Sequence, residues 1–176
     1  MRRYIYFVFL LCCAVNLLLT SCVRQKYVVM DMVHHNPGEA MTESKFLDPS
    51  FLKKNEYGAK VFFLFEAAQF GIDWKSFDPS LFPDTTEAGR WVAEKAEIIH
   101  KKYDAAKKED LQVYCMLDML VLPSLLVEKH RTELTNEQGK LDISKPYTQL
   151  CIRELMKEMF ETFPQLDGLV IRTGET

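Results

Sequence analysis

Four short runs constrain this chain more than any other feature. They cover residues 26–33, 60–65, 111–117 and 166–171, and each is built mainly from Val, Leu, Ile, Met, Phe, Tyr or Cys. The second, with Val-Phe-Phe-Leu-Phe at its centre, is too apolar to leave one face in water. Continuous apolar runs of this length fit parallel strands covered on both sides. The segments between them change to a helical period, so the order predicted is strand, helix, strand, helix, strand, helices, strand. That alternation is the signature of an α/β fold with a parallel sheet.

The intervening segments carry start and stop signals. Asp48-Pro49 reads as a cap followed by the first helical position, and this short helix ends near Gly58. Asp84-Thr85-Thr86-Glu87 has the capping-box spacing of Asp and Glu, opening a helix that runs to Lys108. Ala88, Trp91, Val92, Ile98, Ile99, Tyr103 and Ala106 recur along it at helical spacing. Its acidic residues fall early and its lysines late, which suits the helix dipole. A short helix is predicted from Pro123, and a polar loop over 131–144. A last helix starts at Ser144-Lys145-Pro146, has Leu150, Cys151, Leu155, Met156, Met159 and Phe163 on one face, and ends at Pro164.

Two architectures satisfy this order: a β/α barrel and a doubly wound open sheet. The open sheet usually binds nucleotides through a Gly-rich turn after its first strand. Here that turn is His34-His35-Asn36-Pro37-Gly38-Glu39, without the glycine fingerprint. The barrel is therefore the preferred expectation, and no cofactor is expected. A full barrel has eight strands. Four are legible here, and the polar turn after the last of them carries Glu175 with no helix following. The expected fold is about half of a TIM-type barrel over residues 27–176.

The turns leaving the strands hold the chemistry-bearing side chains. They carry His34, His35, Asn36 and Glu39, then Glu66 and Gln69, then Asp118, then Arg172 and Glu175. The turns entering the strands, such as Tyr57-Gly58-Ala59, are short and ordinary. In barrels the first set forms the active face. A long loop rich in aromatics (Phe70, Trp74, Phe77 and Phe82) follows the second strand. Carboxylates beside aromatics suit carbohydrate, whose rings stack on aromatic faces while their hydroxyls take hydrogen bonds. Glycosidic cleavage would need two carboxyl groups across the scissile bond, and Glu175 is the acid/base candidate by position. Asp31, inside the first run, reads as a structural hydrogen-bonding residue. His34 and His35 are adjacent in extended backbone and point opposite ways, so no metal site is expected.

The front of the chain has a different character. Arg2-Arg3 precede an apolar stretch over residues 4–19, then Leu19-Thr20-Ser21-Cys22. This is the layout of a secretory signal, and the stretch is shorter than the ~20 residues a spanning helix needs. Its end resembles the lipobox of bacterial lipoproteins, which implies a signal over 1–21, a lipidated Cys22 and a tether over 22–26. The residue after Cys22 is Val23 rather than the Asp associated with inner-membrane retention in such lipoproteins. The expected location is the outer membrane, anchored through lipid, facing the periplasm or the surface. With Cys12 and Cys13 in the signal, Cys115 and Cys151 remain, both among apolar neighbours and expected to be buried free thiols. The formal net charge is −3 with no basic patch, so nucleic acid is not an expected partner.

Three segments together resemble the N-terminal half of barrel glycoside-hydrolase-like lipoproteins: 31–39, 163–168 (Phe-Pro-Gln-Leu-Asp-Gly) and 171–175 (Ile-Arg-Thr-Gly-Glu). In placement, Glu175 is similar to the strand-four acid/base Glu of the large retaining glycosidase clan, which usually has Asn before it; here Gly174 stands there. The resemblance implies a polysaccharide or oligosaccharide partner and a membrane contact through the lipid anchor. It also implies incomplete hydrolytic activity for this chain alone, because that clan takes its second carboxylate from strand seven. The alternative is a non-catalytic glycan-binding or envelope structural lipoprotein.

Overall fold

Val113, Cys115 and Leu117 alternate along one apolar run and are fully buried, which fixes the side of the sheet that carries the helices. The computed structural model of the chain describes residues 28–31 and 45–172. Its strands are β1 (Met30–Asp31), β2 (Ala59–Phe62), β3 (Gln112–Asp118) and β4 (Gly168–Arg172). They form a four-stranded, all-parallel sheet in the order β1-β2-β3-β4. The helices are α1 (Pro49–Lys54), α2 (Glu87–Lys108), α3 (Ser124–Lys129), α4 (Arg131–Leu134) and α5 (Pro146–Thr162). The fold is mixed α/β with parallel pairing, as the alternation of runs predicts. Among the described residues the sheet does not close, so β1 and β4 each pair on one side only.

All five helices contribute to one core with this face of the sheet. Leu52, Tyr103, Leu126, Leu134 and Cys151 pack in one cluster with Phe62, Val113, Cys115 and Leu117. Phe62 stacks on Tyr103 with ring centroids 4.8 Å apart. The opposite face carries Tyr114, Met116 and Asp118, in register with Gly168, Val170 and Arg172. Tyr114 lies over Gly168, where a Cβ would come within 2.8 Å of the ring. A glycine at the start of β4 is thus the condition for that aromatic to lie flat across the strand pair.

Several boundaries differ from the expectation. The second run was expected as strand over 60–65, but β2 stops at Phe62. The chain then turns into two 3-10 segments, Leu64–Glu66 and Ala68–Gly71. Tyr103 of α2 donates its hydroxyl proton to the Glu66 carbonyl at 3.0 Å, drawing the chain out of the sheet, and Phe65 is left half exposed. Helix α2 is capped by Thr86 rather than Asp84: the Thr86 hydroxyl accepts from the Gly89 amide at 3.0 Å. Gly89 permits this tight start, since a Cβ there would meet the Pro83 carbonyl oxygen at 2.2 Å. The buried stripe of α2 is Gly89, Val92, Ile99, Tyr103 and Ala106, whereas Trp91 and Ile98 face outward. The segment 131–144 is not all loop. It holds α4, whose Leu134 is fully buried, and an antiparallel bridge from Thr135 to Leu141.

The strand run is also less apolar than its neighbours imply. Lys60 is 2% exposed, in register with Val113 on the helix-bearing face. Its ammonium donates to the Phe46 carbonyl at 2.9 Å and sits 5.8 Å from the Phe62 ring centre. A buried ammonium needs such partners to offset its desolvation.

Candidate functional site

The carboxyl ends of β3 and β4 bring two predicted residues together. Asp118 and Arg172 are register partners on adjacent strands, so their side chains leave the same face at the same height. Arg172 grips Asp118 with two parallel bonds, Nε to Oδ1 at 2.5 Å and a terminal guanidinium nitrogen to Oδ2 at 2.8 Å. This fork-to-fork geometry is the strongest form of ion pair a surface offers. The Asp118 side chain is 17% exposed and that of Arg172 42%, so the pair is sheltered at its base and open at its tip. The backbone supports it: Met119 N–H donates to the Arg172 carbonyl at 3.2 Å, and Val121 N–H to the Asp118 carbonyl at 3.1 Å.

Glu66 does not join them. Its carboxylate is paired with Lys102 of α2, and it lines a hollow on the helix side with Pro49, Lys60 and Phe62. The early end of β2 is the reason, since the 3-10 turn carries Glu66 away from the strand end. Gln69 is buried in the second 3-10 segment. The aromatic loop is packed inward: Trp74 is 1% exposed, and Phe77 stacks against Tyr147 of α5 at 6.1 Å. His34, His35, Asn36, Glu39, Glu175 and Cys22 lie outside the described residues, as does the side chain of Asp31.

Some polar residues with structural roles were not legible beforehand. Glu158 of α5 is 5% exposed and accepts from the Ser76 hydroxyl. Burial pushes its carboxyl above the ordinary range, opposed by Ser76 and by the amides of Phe77 and Trp74. It braces a segment in which Trp74 adopts φ 57, a strained conformation for a bulky residue. Asp167 takes the Val113 amide at 2.6 Å and the Lys107 ammonium at 2.5 Å, locking the start of β4 to β3 and α2. Gln165 donates to Asp104 at 2.7 Å, seating the Phe163-Pro164-Gln165 segment on α2. The only advance signal for Asp167 was its place in a recognisable Leu-Asp-Gly segment. Glu158 gave none beyond falling between Leu155 and Met159.

Cys115 and Cys151 are buried free thiols, as expected, and burial pushes each up to about 11. Among the described residues, no three His, Cys, Asp or Glu side chains gather as a metal would require, and no helix is long and apolar enough to cross a membrane. Comparison with protein-family models, with curated proteins and with solved structures gives no match to this chain.

Proposed function

We propose that the chain is a lipid-anchored, carbohydrate-active protein built on glycoside-hydrolase-like β/α repeats, and that it recognises glycan at the carboxyl ends of its strands. The observation that carries this is the Asp118–Arg172 pair, a half-open fork at the ends of neighbouring parallel strands. A guanidinium presents planar N–H donors and a carboxylate presents acceptor oxygens, the two kinds of group that vicinal sugar hydroxyls need. The sequential strand order supports barrel-type repeats, because a doubly wound sheet reverses its order; among the described residues the helices pack on one face. In this reading His34, His35, Asn36 and Glu39 come from the first strand end, and Glu175 follows Arg172 at the fourth as the candidate acid/base. Cys22 holds the lipid, and the protein sits at the outer membrane.

One feature favours binding over hydrolysis. Both Asp118 oxygens accept from the Arg172 guanidinium, which holds the carboxylate in one orientation suited to recognition. Calorimetry of the full-length chain against a panel of polysaccharides and oligosaccharides tests the proposal. The expected result is saturable binding to at least one glycan, weakened about tenfold or more by Arg172→Ala, since breaking a charged fork leaves an unpaired partner. Reducing-end release compared between the native chain and Glu175→Gln separates hydrolysis from binding. Flat heats across the whole panel would sink the proposal.

A further inference from the structure

Between the segment leaving β2 and the segment leaving β3 lies a cleft of about 350 Å³. Its walls include Phe70, Trp74, Phe82, Trp91 and Leu122, and among the described residues of the lining Gln69 is the polar one. Asp118 and Arg172 take no part in it. Trp91 is 52% exposed on the first turns of α2, an unusually large apolar surface left to water. Gln69 is 9% exposed, and its Oε1 is buried with no hydrogen-bond partner among the described residues. Buried acceptors are nearly always satisfied, and an orphan in a native fold points to a partner from outside.

We propose that this cleft binds a small aromatic molecule of one or two rings bearing a single hydrogen-bond donor, the ring lying among the tryptophans and phenylalanines and the donor reaching Gln69 Oε1. The volume falls in the range of small-molecule pockets, which pair apolar walls with a few placed polar groups. The terminal amide torsion of a glutamine is soft, so Gln69 can turn its oxygen to an incoming donor. A bare sugar does not fit this chemistry: hydroxyls ring its edge, and a lining with one polar side chain would leave most of them unsatisfied. The inference is independent of the glycan reading, because the two sites share no residue.

The chain contains two tryptophans, and both line this cleft, so intrinsic fluorescence reports on it directly. The full-length chain is titrated with para-cresol and with toluene, which has the same ring and methyl group but no hydroxyl. Para-cresol is expected to quench saturably, with toluene about fivefold weaker, the discrimination one net hydrogen bond provides. Gln69→Met, close in shape but without the acceptor, is expected to erase that difference. Trp91→Ala, at an exposed position, is expected to weaken both ligands severalfold while leaving the thermal midpoint near that of the native chain. Non-saturable quenching, equal affinity for the two ligands in the native chain, or unchanged affinity in Trp91→Ala would each overturn the proposal.

Discussion

Glu158 shows how one buried carboxyl couples the fold to pH. Burial raises its folded-state value, so as pH falls the folded protein takes up this proton before the unfolded chain does. Its contribution to stability is therefore most favourable below the ordinary glutamate value of ~4.3. It declines as pH rises through the elevated folded value. Glu158→Gln keeps an acceptor for Ser76 and removes that decline. Thermal midpoints measured from about pH 4 to about pH 7 are expected to fall less in the variant than in the native chain. A parallel slope in both would show that Glu158 is not the titrating group. The buried thiols give a second residue-scale test. With Cys115 and Cys151 both pushed up to about 11, neither is expected to react with iodoacetamide in the native protein at neutral pH. Both are expected to be alkylated on unfolding without reductant, read by peptide mass. Resistance after unfolding would mean that the two are bridged.

The same residues show how far the sequence speaks at this scale. Asp118 and Arg172 were legible because each is the first charged residue after an apolar run, where a parallel strand must end. Glu66 looked equivalent, yet its strand ended three residues sooner, and nothing in Phe63-Leu64-Phe65 distinguishes a strand from an apolar turn. The buried state of Glu158 depends on a loop dozens of residues away, which no local pattern encodes.

At the scale of elements, the long helices and strands followed from periodicity, and their ends followed from capping chemistry that admits more than one solution. Asp84 and Thr86 both precede the apolar stripe of α2, and Thr86 wins because its hydroxyl reaches Gly89 while also donating to the Pro83 carbonyl at 2.7 Å. The aromatic loop is held to the helices by a link that only the structure reveals. Asp78 pairs with Lys129 at the end of α3 and accepts from Ser80. Lys129, then Ser80, draw the Asp78 carboxyl down to about 2. A depressed folded value means stability that is present above the ordinary aspartate value of ~3.9 and lost as pH falls towards 2. Lys129→Met is expected to flatten the acid limb of the stability profile between about pH 4 and about pH 2. Urea midpoints across that window check it, and an unchanged acid limb would assign the loss to other carboxylates.

For the whole molecule, parallel pairing gives every strand the same polarity, so the sheet has one amino edge and one carboxyl edge. Gly58 N–H bonds the Val29 carbonyl at 3.0 Å and Gln112 N–H bonds the Gly58 carbonyl at 2.9 Å, gathering the starts of β1, β2 and β3 at one edge. A lipid on Cys22 would be joined to Val28 by six residues, a reach of at most about 20 Å at ~3.5 Å each. With that anchor the amino edge would be held near the bilayer, and the Asp118–Arg172 fork would point away from it. Strand β3 spans seven residues, about 20 Å at ~3.3 Å per residue, enough to separate the two edges by fluorescence. Cysteines placed at exposed Lys108, at the end of α2 beside the amino edge, and at exposed Ser124, at the start of α3 beyond the carboxyl end of β3, provide the label sites. In vesicles carrying the lipidated protein, a fluorophore at Lys108→Cys is expected to be quenched strongly by headgroup-attached quenchers, and one at Ser124→Cys weakly. Equal quenching would mean that the sheet lies along the membrane. Stronger quenching at Ser124→Cys would place the fork against the lipid, where a polymeric glycan could not reach it.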